Sequence, residues 1–460
     1  MTISTSVILL AEWIYKFEGT MKRLIGLCAL SLCALTSVNS YATPLDAATN
    51  QALSEYLTHQ NKYGRFSGNV IIAKKNEILF EQAVGYADVQ MQRPIEKNNL
   101  FKVGDITKQL TAAAILKLNE QKKLSIDTPI SRYFPSLSRS KNITIGMLMN
   151  HTAGIGRDFN WSDATQSCSK KNLINPVITS SKTYPPALMF NYSNNGYYLL
   201  GKIIEKASGL PYHEYITEQF LRPLGMKDSS MKLTLSFQLA KSYELSGLLN
   251  AHITPTGCAW SAGELISTSR DLLVWSRALA SGQVISQESL DKMYQHQYGL
   301  FAKEIGQTDF YTHSGHIDGF KSILMYEPKS QMTIVALSNF SNTNTELFSI
   351  DLVRLLNKQL PIHKVMPPIK HLAPWQDDVD VIGNYMDSLG VPLQVVYQDG
   401  ELVAKVSQFR IPLMVQNRNT LFAQGIDNKI RIHRNSNETT KEIVFFAKDG
   451  RYLSRFARVN

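Results

Sequence analysis

Apolar residues cover nearly the whole circumference of one predicted helix, which lies within residues 101–120 (FKVGDITKQLTAAAILKLNE). Its apolar positions are Ile106, Leu110, Ala112, Ala113, Ala114, Ile115, Leu116 and Leu118. A helix that is apolar on every side belongs inside a domain. Asp105 precedes it, and we predict that Asp105 is the N-cap, because Asp favours that position and complements the helix dipole. Lys108 follows three residues later, close enough to pair with Asp105.

Strand patterns flank this helix on both sides. Two β-hairpins are predicted, one from residues 69–73 and 77–80 and the other from residues 322–326 and 332–337. Between them, helices are predicted over residues 197–207 and 271–280, each followed closely by a glycine. Strands at both ends of a helical segment predict one antiparallel β-sheet flanked by helices, with a helical lobe, which is an α/β (α+β) fold.

The pattern changes to strands alone after a proline-rich stretch. Prolines stand at positions 361, 367, 368 and 374, and the later strand candidates are residues 393–397, 402–406 and 443–446. Repeated hairpin signals over such a short segment predict an all-β barrel or sandwich. We therefore predict a first domain over residues 43–362, a linker over residues 363–374 and a C-terminal β domain over residues 375–460.

The pattern of residues near the N-terminus predicts that the protein is exported. Met21, Lys22 and Arg23 precede an apolar run over residues 24–35, and Ser40-Tyr41-Ala42 has the small residues of a cleavage site. We interpret residues 21–42 as a signal peptide and residues 1–20 as an over-called start, which places the protein in the periplasm or outside the cell. A short membrane anchor is the alternative, although the run is shorter than the roughly 20 residues that a span needs.

The net charge limits the classes of partner that we expect. The chain carries a formal net charge of +10, and removal of residues 1–42 would leave +9 on 418 residues. This charge could favour an anionic cell-envelope surface. No compact run of Lys and Arg with interleaved aromatics occurs, so nucleic acid is not an expected partner.

Cys168 and Cys258 remain after processing, either as one disulfide or as two buried thiols. The oligomeric state is not predicted.

Three short motifs, in order, resemble those of the serine β-lactamase and D-Ala-D-Ala carboxypeptidase superfamily, especially its class C and esterase-like members. Tyr192-Ser193-Asn194 matches the Tyr-x-Asn motif, and His313-Ser314-Gly315 matches Lys/His-Thr/Ser-Gly. Asp105-Ile106-Thr107-Lys108 stands where the family has Ser-x-x-Lys. The motifs lie about 85 and 120 residues apart, within a similarity that spans about residues 68–339. The C-terminal β domain resembles the lipocalin-like tail of some secreted members.

The resemblance implies acyl transfer through a serine acyl-enzyme, without metal or cofactor. It assigns proton transfer to Lys108 and Tyr192, ligand binding to Asn194, His313, Ser314, Gly315 and His316, and an oxyanion hole to the N–H groups of Asp105 and His316. His151 is assigned a structural role near a loop. Other interpretations stay open: Lys108 could simply neutralise Asp105, and Tyr192 and His313 could be ordinary structural residues.

Asp105 decides the activity. A carboxylate is a weak nucleophile, and its charge opposes the oxyanion that the site must stabilise. Two literal Ser-x-x-Lys strings, at residues 138–141 and 167–170, lie in polar, loop-like surroundings, and we interpret them as chance.

Three hypotheses about function follow. The first is a non-hydrolytic pocket for a small molecule, such as a peptidoglycan-type D-amino-acid peptide, a β-lactam or a small ester. The second is an active hydrolase that uses Asp105 as a base, or Ser193 or Ser314 as the nucleophile. The third is an interaction protein that acts through its C-terminal β domain.

Overall fold

The structure is a computed structural model. It describes residues 45–62, 64–157, 177, 184–232, 236–244, 249–251, 258–361, 379–398, 401–406, 409–423, 428–446 and 451–459. No helix among these residues is long and apolar enough to cross a membrane. The predicted signal peptide and the predicted linker lie outside the described residues, so both stay predictions, as do the domain bounds.

A six-stranded antiparallel sheet forms the centre of the first part of the chain. Its strands are β1 (Gly68–Lys74), β2 (Glu77–Val84), β3 (Phe301–Ile305), β4 (Thr308–Ile317), β5 (Phe320–Glu327) and β6 (Met332–Ser338). They lie in the order β2-β1-β6-β5-β4-β3. Both predicted hairpins are confirmed, and β1 pairs with β6 from Gly68 opposite Ser338 to Lys74 opposite Met332. The sheet therefore joins the two ends of the segment, as the strand pattern predicted.

Nine α-helices are found among the described residues. They are α1 (Ala47–Lys62), α2 (Thr107–Glu120), α3 (Ile145–Met149), α4 (Asn194–Ser208), α5 (Tyr212–Ile216), α6 (Trp260–Gly263), α7 (Ser269–Ala280), α8 (Gln287–Gln295) and α9 (Thr345–Leu356). The helices predicted over residues 197–207 and 271–280 are confirmed as α4 and α7. Each begins at a side-chain cap, because the hydroxyls of Ser193 and Thr268 accept backbone N–H groups of the first turn.

Helices cover both faces of the sheet. On one face, α1 and α9 bury Leu53, Leu57 and Leu352 against the strands, and the Tyr56 hydroxyl donates to Asp351 Oδ2 at 2.9 Å. The remaining helices form the other layer and the helical lobe, within the largest apolar cluster of the chain. The predicted α/β (α+β) architecture is confirmed.

The start of α2 differs from the prediction. The helix is buried as expected, since every residue from Thr107 to Leu116 is buried. Asp105, however, lies inside a 3₁₀ turn, Gly104–Ile106, and no side chain caps either this turn or α2. The predicted N-cap role is therefore wrong. The physical reason is that the side chains of Lys108 and Tyr192 donate to the Asp105 carboxylate, in competition with the backbone N–H groups of the helix.

The C-terminal part of the described chain is a closed barrel of eight antiparallel strands in sequence order. The strands are β7 (Gly383–Asp387), β8 (Pro392–Gln398), β9 (Glu401–Val406), β10 (Phe409–Asn417), β11 (Thr420–Ala423), β12 (Asn428–Arg434), β13 (Thr440–Phe446) and β14 (Tyr452–Val459). Apolar side chains such as Tyr385, Val395 and Ile430 are buried in its core. The predicted all-β barrel is confirmed, whereas its resemblance to a lipocalin-like tail stays a prediction.

A glycine on β4 lets this strand lie directly against the turn that carries Asp105. A Cβ atom on Gly315 would stand 2.0 Å from the carbonyl oxygen of Val103. The same carbonyl accepts a hydrogen bond from Ser322 Oγ at 2.7 Å. This contact fixes β4 and β5 against the start of α2, so the position of Asp105 depends on it.

We expect Gly315→Ala to lower the free energy of unfolding by about 1–3 kcal/mol, because a methyl group there overlaps backbone atoms that cannot move aside independently. Gly196→Ala on α4 is the matched control. Its added Cβ would meet nothing closer than 3.6 Å, and alanine favours a helix by roughly 0.5–1 kcal/mol. Urea denaturation of the three proteins checks this, and equal losses from the two variants would contradict the account.

Candidate active site

The first two motifs meet at the Asp105 carboxylate, and the third lines the cavity beside it. Lys108 lies three residues after Asp105, in the first turn of α2, and forms an ion pair with Asp105 Oδ1. Tyr192, which lies just before α4, donates its hydroxyl to the same oxygen at 2.8 Å. The first and second motifs are therefore joined by side-chain hydrogen bonds across 87 positions of sequence.

Lys108 is fully buried and is held from several sides. Besides Asp105, its ammonium donates to the carbonyl oxygen of Ala262 at 2.8 Å. It also faces the rings of Tyr192 and Tyr197, at 5.1 and 5.4 Å from their centroids. A buried ammonium needs a counter-charge and acceptors to be stable in such a place, and Asp105 supplies the charge.

Asp105 is ionised at neutral pH. Burial by itself would raise the pKa of this carboxyl. The charge of Lys108, the charge that His313 carries at low pH, and the hydrogen bonds from Lys108 and Tyr192 outweigh burial and lower the pKa to about 2. A carboxylate with so low a pKa is a poor base near pH 7. Its side chain is still 23% exposed, so it remains within reach of a ligand.

Tyr192 acts as a donor in this arrangement. Burial raises the pKa of its phenol well above 10, and the neighbouring Asp105 carboxylate raises it further. The phenol therefore keeps its proton at neutral pH, while its predicted role in proton transfer stays a prediction. Its ring stacks on His151, with centroids 4.3 Å apart.

The two buried histidines at the site are neutral. His151 Nδ1 accepts the backbone N–H of Ser193 at 3.0 Å, and burial lowers the pKa of its ring to about 2. It thus supports the loop before α4. His313 Nδ1 lies 2.7 Å from the carbonyl oxygen of Ser314, and burial lowers the pKa of its ring to about 4. At neutral pH, His313 therefore brings no positive charge to the site.

Two cavities open beside Asp105. The first, about 290 Å³, contains the third motif and is lined by Asp105, Arg157, Tyr192, Phe301, His313, Ser314, Gly315, His316, Lys321 and Thr345. The second, about 260 Å³, is lined by Gly104, Asp105, Asn194, Tyr198, Cys258, Ala259, Ala262, Gly263, His316, Ile317 and Asp318. Asp105 and His316 line both, so the site is a pair of cavities that meet at these two residues.

The two backbone nitrogens proposed for an oxyanion hole lie at the contact between β4 and the Asp105 turn. Gly104 has a positive φ of 54°, and a Cβ there would stand 3.0 Å from the nitrogen of His316. A Cβ on Gly315 would stand 3.0 Å from the nitrogen of Asp105. The turn and the strand thus bring both nitrogens to one place, while their role stays a prediction.

The alternative serines are placed very differently. Ser193 is 3% exposed, and its hydroxyl caps α4 and donates to the carbonyl oxygen of Gly156 at 2.9 Å. It is therefore unsuited to attack a ligand. Ser314 is exposed and lines the 290 Å³ cavity. Ser138 lies on the surface outside both cavities, and residues 167–170 lie outside the described residues.

Several residues of the site are absent from the sequence-based predictions. Arg157, Phe301, Lys321 and Thr345 line the first cavity, and Asp318 lines the second, where it forms an ion pair with Lys102 at 2.5 Å. Lys321 had no signal in the sequence, because only the pairing of β5 with β4 places it opposite His316. Cys258 forms a disulfide, which excludes a free thiol there, and Cys168 lies outside the described residues.

Comparison with known proteins gives a family match over most of the chain. The sequence model of the family described as Beta-lactamase matches residues 49–357. PbpX of Bacillus subtilis (strain 168), whose given name places it among the penicillin-binding proteins, is 29% identical over 323 residues, which are 67% of this chain and 79% of PbpX.

Two solved structures have a similar fold. The D-amino acid amidase of Ochrobactrum anthropi SV3, complexed with L-phenylalanine amide, has a TM-score of 0.60 at 22% identity and covers 67% of this chain and 97% of its own. The octameric penicillin-binding protein homologue of Pyrococcus abyssi has a TM-score of 0.62 at 21% identity and covers 90% of this chain and 100% of its own. The second likeness extends beyond residue 357, so it includes the C-terminal part.

The lowered pKa of Asp105 predicts a pH-dependent contribution to stability. The carboxyl titrates at about 2 in the folded protein instead of the usual 3.8, which corresponds to about 2 kcal/mol. Because the folded pKa is the lower one, this contribution is present above pH 4 and is lost as the pH falls towards 2. Urea denaturation at a series of pH values should therefore show a loss over this window that is about 2 kcal/mol smaller in Asp105→Asn.

Asp318→Asn serves as the comparison, since it removes a carboxylate near the same site without touching Lys108. An identical pH dependence in the wild-type protein and Asp105→Asn would show that the ion pair with Lys108 does not stabilise the fold.

Proposed function

We propose, from the premise that this chain belongs to the β-lactamase family, that it is a non-hydrolytic member whose pocket binds D-amino-acid peptides, β-lactams or small esters without forming an acyl-enzyme. The observation that carries this proposal is the Asp105 carboxylate, fixed by Lys108 and Tyr192, at the position that the resemblance to Ser-x-x-Lys assigns to the nucleophile. We further propose an exported protein that works at the cell envelope, from the predicted signal peptide and the net positive charge.

Three features of the site oppose covalent chemistry. Asp105 offers no hydroxyl, and its attack on an amide would give a reactive mixed anhydride. Its charge stands where negative charge must develop on a carbonyl oxygen. Lys108 cannot accept a proton while it is an ammonium paired with Asp105, because it then has no lone pair.

Other features support ligand binding. The 290 Å³ cavity combines the aromatic wall of Tyr192 and Phe301 with the polar groups of Ser314 and Lys321. Apolar walls with a few placed polar groups are typical of small-molecule sites. The amidase with a similar fold was solved with L-phenylalanine amide, and the other similar structure is that of a penicillin-binding protein homologue. These likenesses support an amino-acid or peptide ligand.

The alternative of direct hydrolysis has less support. A base that activates water works best with a pKa near the working pH, whereas the pKa of Asp105 is lowered to about 2. Ser314 lies in the cavity, but its neighbour His313 is buried, and the His313 Nδ1–H donates to the backbone carbonyl oxygen of Ser314 rather than contacting its hydroxyl. Action through the C-terminal barrel also stays a hypothesis, and the buried side chains in the barrel core do not favour a ligand there.

The proposal predicts that Asp105→Ser gains covalent labelling by a fluorescent penicillin, whereas the wild-type protein shows none. Serine restores the hydroxyl and releases Lys108 from its carboxylate partner, so the lysine can accept the proton. Gel fluorescence after denaturation measures the label, and intact mass identifies the adduct. Asp105→Ala and the double variant Asp105→Ser with Lys108→Met are the controls, and both should remain unlabelled.

A serine adduct on the wild-type protein would contradict the proposal. An Asp105→Ser variant that folds but stays unlabelled would show that the pocket has lost more than its nucleophile.

The wild-type protein should also fail to hydrolyse p-nitrophenyl acetate faster than Asp105→Ala does, because the ionised Asp105 is too weak a base to activate water. Initial rates at pH 7 measure this. Turnover by the wild-type protein that Asp105→Ala abolishes would favour the hydrolase hypothesis instead.

A further inference from the structure

Aromatic and basic side chains share one part of the outer wall of the C-terminal barrel. Along each barrel strand, side chains that point into the core alternate with side chains that point outward. On strands β11 to β13 the core side chains include Leu421, Ile430 and Phe445. The residues that follow or precede these in sequence therefore lie on the outer face. They include Phe422, Lys429 and Phe446.

These outward residues form one row across four strands. Phe422 on β11 lies opposite Lys429 on β12, which lies opposite Phe446 on β13. The register shifts between Phe445 and Phe446, and this irregularity places Tyr452 of β14 opposite Phe446. The rings of Phe446 and Tyr452 meet edge to face, with centroids 6.5 Å apart. We call Phe422, Lys429, Phe446 and Tyr452 the aromatic row; three strand spacings make it about 14 Å long.

Arg431 adds a second cation beside the aromatic row. It follows Lys429 by two residues on the same face of β12, and its guanidinium carbon lies 5.0 Å from the centroid of the Phe446 ring. Neither Arg431 nor Lys429 forms an ion pair within the part of the chain that the structure describes. Glu442, the acidic residue of β13, pairs with two other basic side chains instead. The charge of the row is therefore available to an anionic partner.

The side chains of the row are open to solvent. Tyr452 is 59% exposed, Arg431 is exposed, and the other members of the row are half-buried. Flat aromatic rings on rigid strands give a surface against which the apolar faces of sugar rings can stack, and a guanidinium binds a carboxylate by two parallel hydrogen bonds. Since the row is longer than one sugar ring, it fits a chain of sugars.

Two other classes of partner fit the row less well. Insertion into a bilayer would take the charge of Lys429, in the middle of the row, out of water at a high cost in free energy. Single-stranded nucleic acid also stacks on aromatic rings beside cations, but the predicted export separates the protein from nucleic acid.

We propose that the aromatic row and Arg431 form a docking surface for an acidic polysaccharide of the cell envelope. Its sugar rings stack on Phe422, Phe446 and Tyr452, and its carboxylates bind Lys429 and Arg431. This inference goes beyond the proposed function, because it concerns the barrel wall and not the pocket. It gives the barrel a task of its own, which is to hold the protein on a glycan chain.

The experiment measures binding of fluorescently labelled pentagalacturonic acid to the full chain by fluorescence anisotropy. The methyl ester of the same oligosaccharide keeps the sugar rings without the charge. The wild-type protein should bind the acid at least about tenfold more tightly than the ester, because hydrogen bonds between charged groups have that order of effect. Tyr452→Ala and Arg431→Gln should each weaken binding of the acid at least about fivefold. Tyr452→Phe should bind like the wild-type protein, since it keeps the ring.

Two matched controls separate the row from general effects of the substitutions. Tyr397→Ala removes another exposed tyrosine of the barrel, on β8. Arg132→Gln makes the same change in net charge as Arg431→Gln, at an exposed position before α3. Both control variants should bind the acid as tightly as the wild-type protein does.

Three results would overturn the inference. The first is equal affinity of the wild-type protein for the acid and the ester, or binding of neither. The second is an equal loss of affinity in the control variants and in the variants of the row. The third is binding of oligothymidylate or of phosphatidylglycerol vesicles that depends on Tyr452 and Arg431 and exceeds binding of the oligosaccharide, which would make nucleic acid or a membrane the partner. The pocket takes no part in these measurements, so they leave the proposed function untouched.

Discussion

The ion pair between Asp105 and Lys108 is the interaction on which the rest of the site depends. Lys108 has no exposed surface, and a cation in that position is stable only with a counter-charge and acceptors around it. Asp105 gives the counter-charge, Ala262 gives a carbonyl, and the rings of Tyr192 and Tyr197 face the ammonium. The charge of a lysine in the first turn of the buried helix α2 is therefore compensated by its surroundings.

The ion pair that stabilises Lys108 also removes the proton transfer that a serine and a lysine can carry out at this position. A serine and a lysine side by side can share a proton, because one has a hydroxyl to lose and the other a lone pair to receive it. In a pair of carboxylate and ammonium, the proton already lies on the amine, so the amine has no lone pair left to receive another. The pocket has an aromatic wall and the His313-Ser314-Gly315 motif, and the pair at its centre is a carboxylate and an ammonium, without a hydroxyl group. This is the reason why we propose ligand binding without covalent chemistry for this pocket.

Local patterns in the sequence predicted much of the fold, whereas the site residues were predicted from the resemblance to the family, and their roles stay predictions. Residue types alone predicted α2, both hairpins, α4, α7 and the barrel, because each has a strong apolar period or clear turn residues. Strand β4 lacks that signal, since polar residues such as Ser314 and His316 occupy its cavity face. The N-cap role of Asp105 was wrong because Tyr192, far away in the chain, competes for the carboxylate. Lys321 was missed because its burial arises only when β5 packs beside β4.

The most direct measurement of the central claim is the protonation state of Asp105 itself. Carbon-13 NMR of the protein labelled at aspartate carboxyls, with Asp105→Asn to assign the resonance, follows this group as the pH is lowered. The account predicts that the Asp105 carboxyl stays ionised from pH 7 down to pH 3, consistent with a pKa lowered to about 2. Half-protonation at or above the usual 3.8 would contradict it, because the carboxylate would then not be held by Lys108 and Tyr192.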